Sequence, residues 1–169
     1  MSAFSALQIL LADDNQHMRA ITATILNSAG FRRTREVRDG AEAIDALRDW
    51  PADLAIIDFN MAPIDGVEFT RLIRNSPDSP NPYLPIIMMT GHSERARVCE
   101  ARDAGVTEFI VKPITAKAVL DRIHAVIYKP RPFVKSENYF GPCRRRLTMR
   151  DYQGPFRRES DSRRDENAA

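Results

Sequence analysis

A chain of 169 residues with 43% hydrophobic composition can build one well-cored domain but not two ordinary ones. No stretch approaches the ~20 consecutive apolar residues needed to cross a bilayer, so membrane insertion is not expected. The net charge of +2 conceals an asymmetry: residues 1–128 hold 14 Lys and Arg against 17 Asp and Glu, and residues 129–169 hold 11 against 6.

The opening segment has a short apolar run but no basic leader region and no small-residue cleavage site. It reads as a first strand rather than a signal peptide. That strand covers Leu7 to Ala12. From Asn15 to Ala29, Met18, Ile21, Ile25 and Leu26 recur at helical spacing, and Gly30 follows as a stop signal. Phe31 to Val37 is a weaker strand. Gly40 to Trp50 reads as a helix closed by Pro51, and Leu54 to Ile57 is a buried strand that runs into Asp58.

Gly66 to Asn75 repeats the helical pattern, and the proline-rich stretch 76–82 is a loop by composition. Leu84 to Met89 is a third clear apolar strand. Ser93 to Ala104 reads as a helix with Ser93 as its N-cap and Gly105 as its end. Phe109 to Val111 is a short strand, and Thr115 to Tyr128 is the last helix. Cys99 falls within the fourth of these helices and reads as a small packing residue; Cys143 lies far from it. With no paired spacing between them, neither a disulfide framework nor a zinc site is expected, and a reducing cytoplasm fits.

Five strands alternating with five helices imply a doubly wound α/β fold. Strands joined through helices run parallel, and strands this apolar need helices on both faces. Ligands in such sheets bind beyond the carboxyl ends of the strands. Those ends carry Asp13-Asp14, Asp58, Thr90 and Lys112-Pro113. Three carboxylates on one edge repel unless a cation neutralises them, and a hard ion such as Mg²⁺ suits them. A hydroxyl and an ammonium beside such an ion form a phosphate-sized anion site, in which one carboxylate can act as nucleophile. Singly, each piece reads as an ordinary turn or cap; it is their joint placement at strand ends that points to chemistry.

Leu10 through Asp14, Ile56-Ile57-Asp58, Met61 through Gly66, Met88 through Gly91 and Phe109 through Pro113 together resemble the receiver domain of two-component response regulators (CheY-like). The resemblance spans residues 6–128 and implies a five-stranded flavodoxin-like sheet of order 2-1-3-4-5. It implies that Asp58 accepts a phosphoryl group from a histidine kinase or phosphotransfer protein. Asp13, Asp14, Asp58 and the backbone carbonyl of Asn60 would bind Mg²⁺. Lys112 would pair with the phosphate, Thr90 and Phe109 would act as the switch pair, and the Lys112–Pro113 peptide would be cis. The implied activity is a phosphoacceptor with limited self-phosphorylation and dephosphorylation, not an enzyme with an external substrate. The proline of Met61-Ala62-Pro63 comes one place later than the family pattern, and Phe109 replaces the commoner tyrosine. Asn60 and His92 occupy positions that tune phosphoryl lifetime in the family. His92 reads as a solvent-exposed residue at a helix entry, and His17 and His124 as surface residues.

Beyond Tyr128, prolines end the helix and apolar periodicity stops, so residues 129–169 read as a basic, largely disordered tail. The tail repeats one pattern, Tyr-x-Gly-Pro-x-Arg-Arg. The first copy is Tyr139, Gly141, Pro142, Arg144 and Arg145, and the second is Tyr152, Gly154, Pro155, Arg157 and Arg158. An aromatic, a Gly-Pro turn and an arginine pair suggest docking on a protein partner or on the chain's own receiver; nucleic-acid binding and a plain spacer are the alternatives. The sequence does not identify the downstream protein. The rival function is a phosphorylation-independent adaptor acting through this tail. A haloacid-dehalogenase-type phosphatase needs a second Asp where Asn60 stands, and is set aside.

Overall fold

Strands too apolar to face water on either side must lie between two helical layers. The structure, a computed structural model describing residues 3–91 and 96–144, has that arrangement. In chain order its elements are β1 (Gln8–Ala12), α1 (Gln16–Ser28), β2 (Arg33–Val37), α2 (Gly40–Asp49), β3 (Leu54–Asp58), α3 (Gly66–Asn75), β4 (Ile86–Thr90), α4 (Val98–Ala104), β5 (Glu108–Val111) and α5 (Ala116–Tyr128). The five strands pair in parallel in the order β2-β1-β3-β4-β5.

Alternation along each strand splits the core in two. Leu10, Ala12, Ala55, Ile57, Ile86 and Met88 pack with α2, α3 and α4. Ile9, Leu11, Leu54, Ile56, Ile87 and Met89 pack with α1 and α5. Every residue of β3 and β4 is buried, which explains why these two strands read most clearly in the sequence.

Short polar side chains start the helices. Asn15 accepts from the His17 and Met18 amides, Asp39 from Glu42, Asp65 from Glu68 and Thr115 from Ala118. Gly105 caps α4 at φ +111°, a left-handed conformation that favours glycine. The expected N-cap Ser93 and His92 lie outside the described residues. Cys99 is on α4 as expected, but it is exposed, so it is not the packing residue the sequence suggested.

The tail departs from its expected disorder over its first part. Phe133–Ser136 (β6) and Tyr139–Pro142 (β7) form an antiparallel hairpin, with Phe133 opposite Pro142 and Ser136 opposite Tyr139. Strands of four residues with no clean alternation carry little periodic signal. What holds them is tertiary: Phe133 and Phe140 pack against Tyr83, with ring centroids 5.0 and 5.4 Å away, and the Arg74 guanidinium lies 5.0 Å from the Phe133 ring centre. The second motif copy, and Arg145 of the first, lie outside the described residues.

Candidate functional site

Strand register brings the polar groups together. Ala12 is opposite Ile57, which sets Asp13 level with Asp58. Asp58 is opposite Met89, so Thr90 ends β4 one residue further on, and Thr90 in turn is opposite Val111, just before Lys112. All five side chains singled out at strand ends therefore share one edge of the sheet.

The geometry there is close. Lys112 Nζ lies 2.6 Å from Asp58 Oδ1. One carboxylate oxygen from each of Asp13, Asp14 and Asp58 lies within 4.8 Å of the others. Asp13 is fully buried, Asp58 is 5% exposed, Asp14 is exposed, and Thr90 is buried. Phe109 is half-buried against the α2–α4 side of the core. Asn60 is exposed in the loop two residues beyond Asp58. The Lys112–Pro113 peptide is cis, as the resemblance implied; the Ala62–Pro63 peptide is also cis, which was not anticipated.

Backbone contacts fix these side chains in place. Asp13 Oδ1 accepts from the Asn15 amide at 2.9 Å, and the Asp13 carbonyl accepts from Arg19 Nη1 at 2.7 Å. The Phe59 amide donates to the Met89 carbonyl, and the Gly66 amide donates to the Phe59 carbonyl, each at 3.0 Å. The loop after Asp58 thus folds straight back against its own strand. Gly66 sits so close that a Cβ there would lie 2.5 Å from the Asp58 carbonyl oxygen.

Electrostatics mark the edge as a cation site. Burial pushes the Asp58 carboxyl up from 3.8 to about 6; the Lys112 hydrogen bond opposes the rise, and the Asp13 and Asp14 charges add to it. Burial also raises Asp13, against the hydrogen bond from the Asn15 amide. Asp13 Oδ2 is buried with no hydrogen-bond partner among the described residues. An orphaned carboxylate oxygen beside two further carboxylates fits a hard, oxygen-loving divalent ion.

Two contributors carried no signal in the sequence. Arg19 holds the Asp13 carbonyl from six residues away, a spacing that matters only once the β1–α1 turn is built. Arg97 stacks 4.8 Å from the Phe59 ring centre and pairs with Asp65 and Glu100, tying the start of α4 to the loop beyond Asp58. His17 and His124 are exposed, as expected, though His124 also stacks on Phe4.

Comparison with known proteins points the same way. The family model described as response regulator receiver domain matches residues 9–124. The chemotaxis protein CheY-3 of Vibrio cholerae is 33% identical over 120 residues, which is 71% of this chain and 91% of that protein. The solved structure of V. cholerae CheY4 is 27% identical and aligns with a TM-score of 0.65 over 72% of this chain and 98% of its own. The receiver domain of the sensor histidine kinase PA1611 from Pseudomonas aeruginosa, solved with a magnesium ion in its active-site cleft, is 28% identical. It aligns with a TM-score of 0.61 over 70% of this chain and 94% of its own.

Proposed function

This chain belongs to the response regulator receiver family, and we propose that Asp58 is its phosphoacceptor, with Lys112 and Thr90 completing the site. The family's work is phosphorelay signalling, in which the receiver is a phosphoacceptor rather than a classical enzyme and its upstream partner is a histidine kinase. One observation carries the assignment of Asp58. Asp13 and Asp58 are both buried, and Asp58 is bridged directly by an ammonium, at 2.6 Å from Lys112.

The step is a transfer between phosphorus–nitrogen and phosphorus–oxygen bonds. An Asp58 carboxylate oxygen forms a bond to phosphorus as the bond to the donor's imidazole nitrogen breaks. The imidazole leaves with the electron pair of that bond and takes up a proton. Asp13, Asp14, Asp58 and the Asn60 carbonyl would hold Mg²⁺, which when bound neutralises the carboxylates and draws charge from the phosphoryl oxygens. Lys112 moves from carboxylate to phosphoryl oxygen, and the Thr90 hydroxyl donates to another. Phe109, half-buried and next to the β5 end, follows the Thr90 shift. The surface made by α4, β5 and α5 is then the output face toward an unidentified downstream protein.

No helix among the described residues is long and apolar enough to cross a membrane, and the two free cysteines support placing the chain in the cytoplasm. The direct test is intact-mass spectrometry after incubation with acetyl phosphate and Mg²⁺. Wild type should gain one phosphoryl group, and Asp58→Asn or chelated wild type should not. If Asp58→Asn labels as well as wild type, the assignment fails.

A further inference from the structure

The described part of the first copy of the tail motif, Tyr139 to Arg144, is built into the fold, and Tyr139, Gly141, Pro142 and Arg144 each have a visible task. The Tyr139 hydroxyl donates to the Pro142 carbonyl at 2.7 Å. The Arg144 guanidinium lies 4.6 Å from the Tyr139 ring centre and pairs with Asp103 near the end of α4. Gly141 is buried where a Cβ would lie 3.1 Å from the Gly105 Cα and 2.7 Å from the Tyr139 hydroxyl. The motif therefore encodes a specific seat on the receiver.

That seat joins elements that lead to different parts of the phosphoacceptor edge. Arg74, at the end of α3, donates to the Gly105 carbonyl beyond α4 at 3.0 and 3.1 Å and to the Pro82 carbonyl at 2.8 Å. Its guanidinium is covered by Phe133 of the hairpin. Arg131, just before β6, pairs at 2.8 Å with Glu108, the first residue of β5 and the neighbour of Phe109. The hairpin thus fastens the C-terminal end of α4 and the start of β5 to α3, and α3 itself begins at Gly66 against the Asp58 carbonyl.

We infer that residues 131–144 are a regulatory strap whose docking opposes phosphorylation of Asp58, an inference that rests on the phosphoacceptor reading above. All the strap contacts coexist with Lys112 bonded directly to the Asp58 carboxylate. A phosphoryl group there takes Lys112 for itself and draws in Thr90. Thr90 leads into α4, and Lys112 directly follows β5, which Arg131 grips at its start. On this inference, closing on phosphate moves α4 and β5 relative to α3, and the strap spans that seam. A contact made better in one state than in the other shifts the balance between them, and the effect is reciprocal.

The test uses the full-length chain with acetyl phosphate and Mg²⁺, reading adduct by intact mass and amide hydrogen exchange of residues 131–144 in the same samples. Exchange in the strap should rise about fivefold or more in the phosphorylated fraction, the lower end of coupling between linked sites. Phe133→Ala and Asp103→Ala, which loosen the strap far from Asp58, should raise adduct occupancy at a fixed donor concentration. An adduct on wild type with unchanged or slower strap exchange overturns the coupling and leaves the phosphoacceptor reading standing. Loosened variants with unaltered occupancy do the same. A wild type that takes no phosphoryl group removes the phosphoacceptor reading and the strap with it.

Discussion

In the metal-free protein, Asp58→Asn is expected to flatten part of the pH dependence of stability. The carboxyl sits at about 6 in the fold against 3.8 for an ordinary aspartate, because burial and the neighbouring carboxylates outweigh the pull of Lys112. Folding therefore favours the protonated form. The favourable contribution is fully present below about pH 4 and is lost as pH rises through about 6, and it amounts to about 3 kcal/mol for that interval at ~1.4 kcal/mol per pH unit. Near-complete burial of Asp58 means solvent screening does little to reduce this figure. Titrating groups away from this site are shared by both proteins, so the difference between wild type and Asp58→Asn reports on Asp58 and the carboxylates coupled to it. Urea unfolding with chelator, run at about pH 4 and about pH 7.5, should show the variant gaining about 2–3 kcal/mol on wild type between the two. At the higher pH, Mg²⁺ should then stabilise wild type more than the variant, since the ion binds the folded carboxylate cluster. Unfolding curves for the two proteins that stay parallel across this range would refute the electrostatic reasoning.

Two further substitutions probe the framework. Gly66→Ala would relieve helix entropy anywhere else, but here its Cβ meets the Asp58 carbonyl, so urea unfolding should show a loss of about 1–3 kcal/mol and phosphoryl labelling should fall with it. A stabilised Gly66→Ala protein would show that the close approach is wrong. Arg74→Met should cost about 2–4 kcal/mol by stranding the Gly105 and Pro82 carbonyls. Arg74→Lys should recover little, because a point charge cannot replace the planar fork; full rescue by Lys in the same unfolding assay would sink that account.

The receiver was legible because its signals are local and its chemistry sits at strand ends. The buried runs of β3 and β4 announce themselves without any knowledge of their partners, and Asp58 and Thr90 stand where those runs stop; Lys112 follows the shorter β5. The hairpin at the start of the tail was not legible for the opposite reason. β6 and β7 owe their order to Tyr83 and Arg74, residues more than forty positions away, and to one buried glycine fitted against Gly105. The repeat signalled that the motif mattered, but not where it seats. Arg19 and Arg97 were invisible on similar grounds, since each acts on a backbone carbonyl or ring that only the folded chain brings near.

The most direct test of the central claim is to locate the phosphoryl group. An aspartyl phosphate is an acyl phosphate, which borohydride reduces to homoserine, so reduction after phosphotransfer from a histidine kinase followed by peptide sequencing marks the acceptor residue. The account predicts homoserine at position 58 alone, with Asp13 and Asp14 unmodified. Homoserine at either of those positions, or no reduction product from a chain shown to carry phosphate, would contradict it.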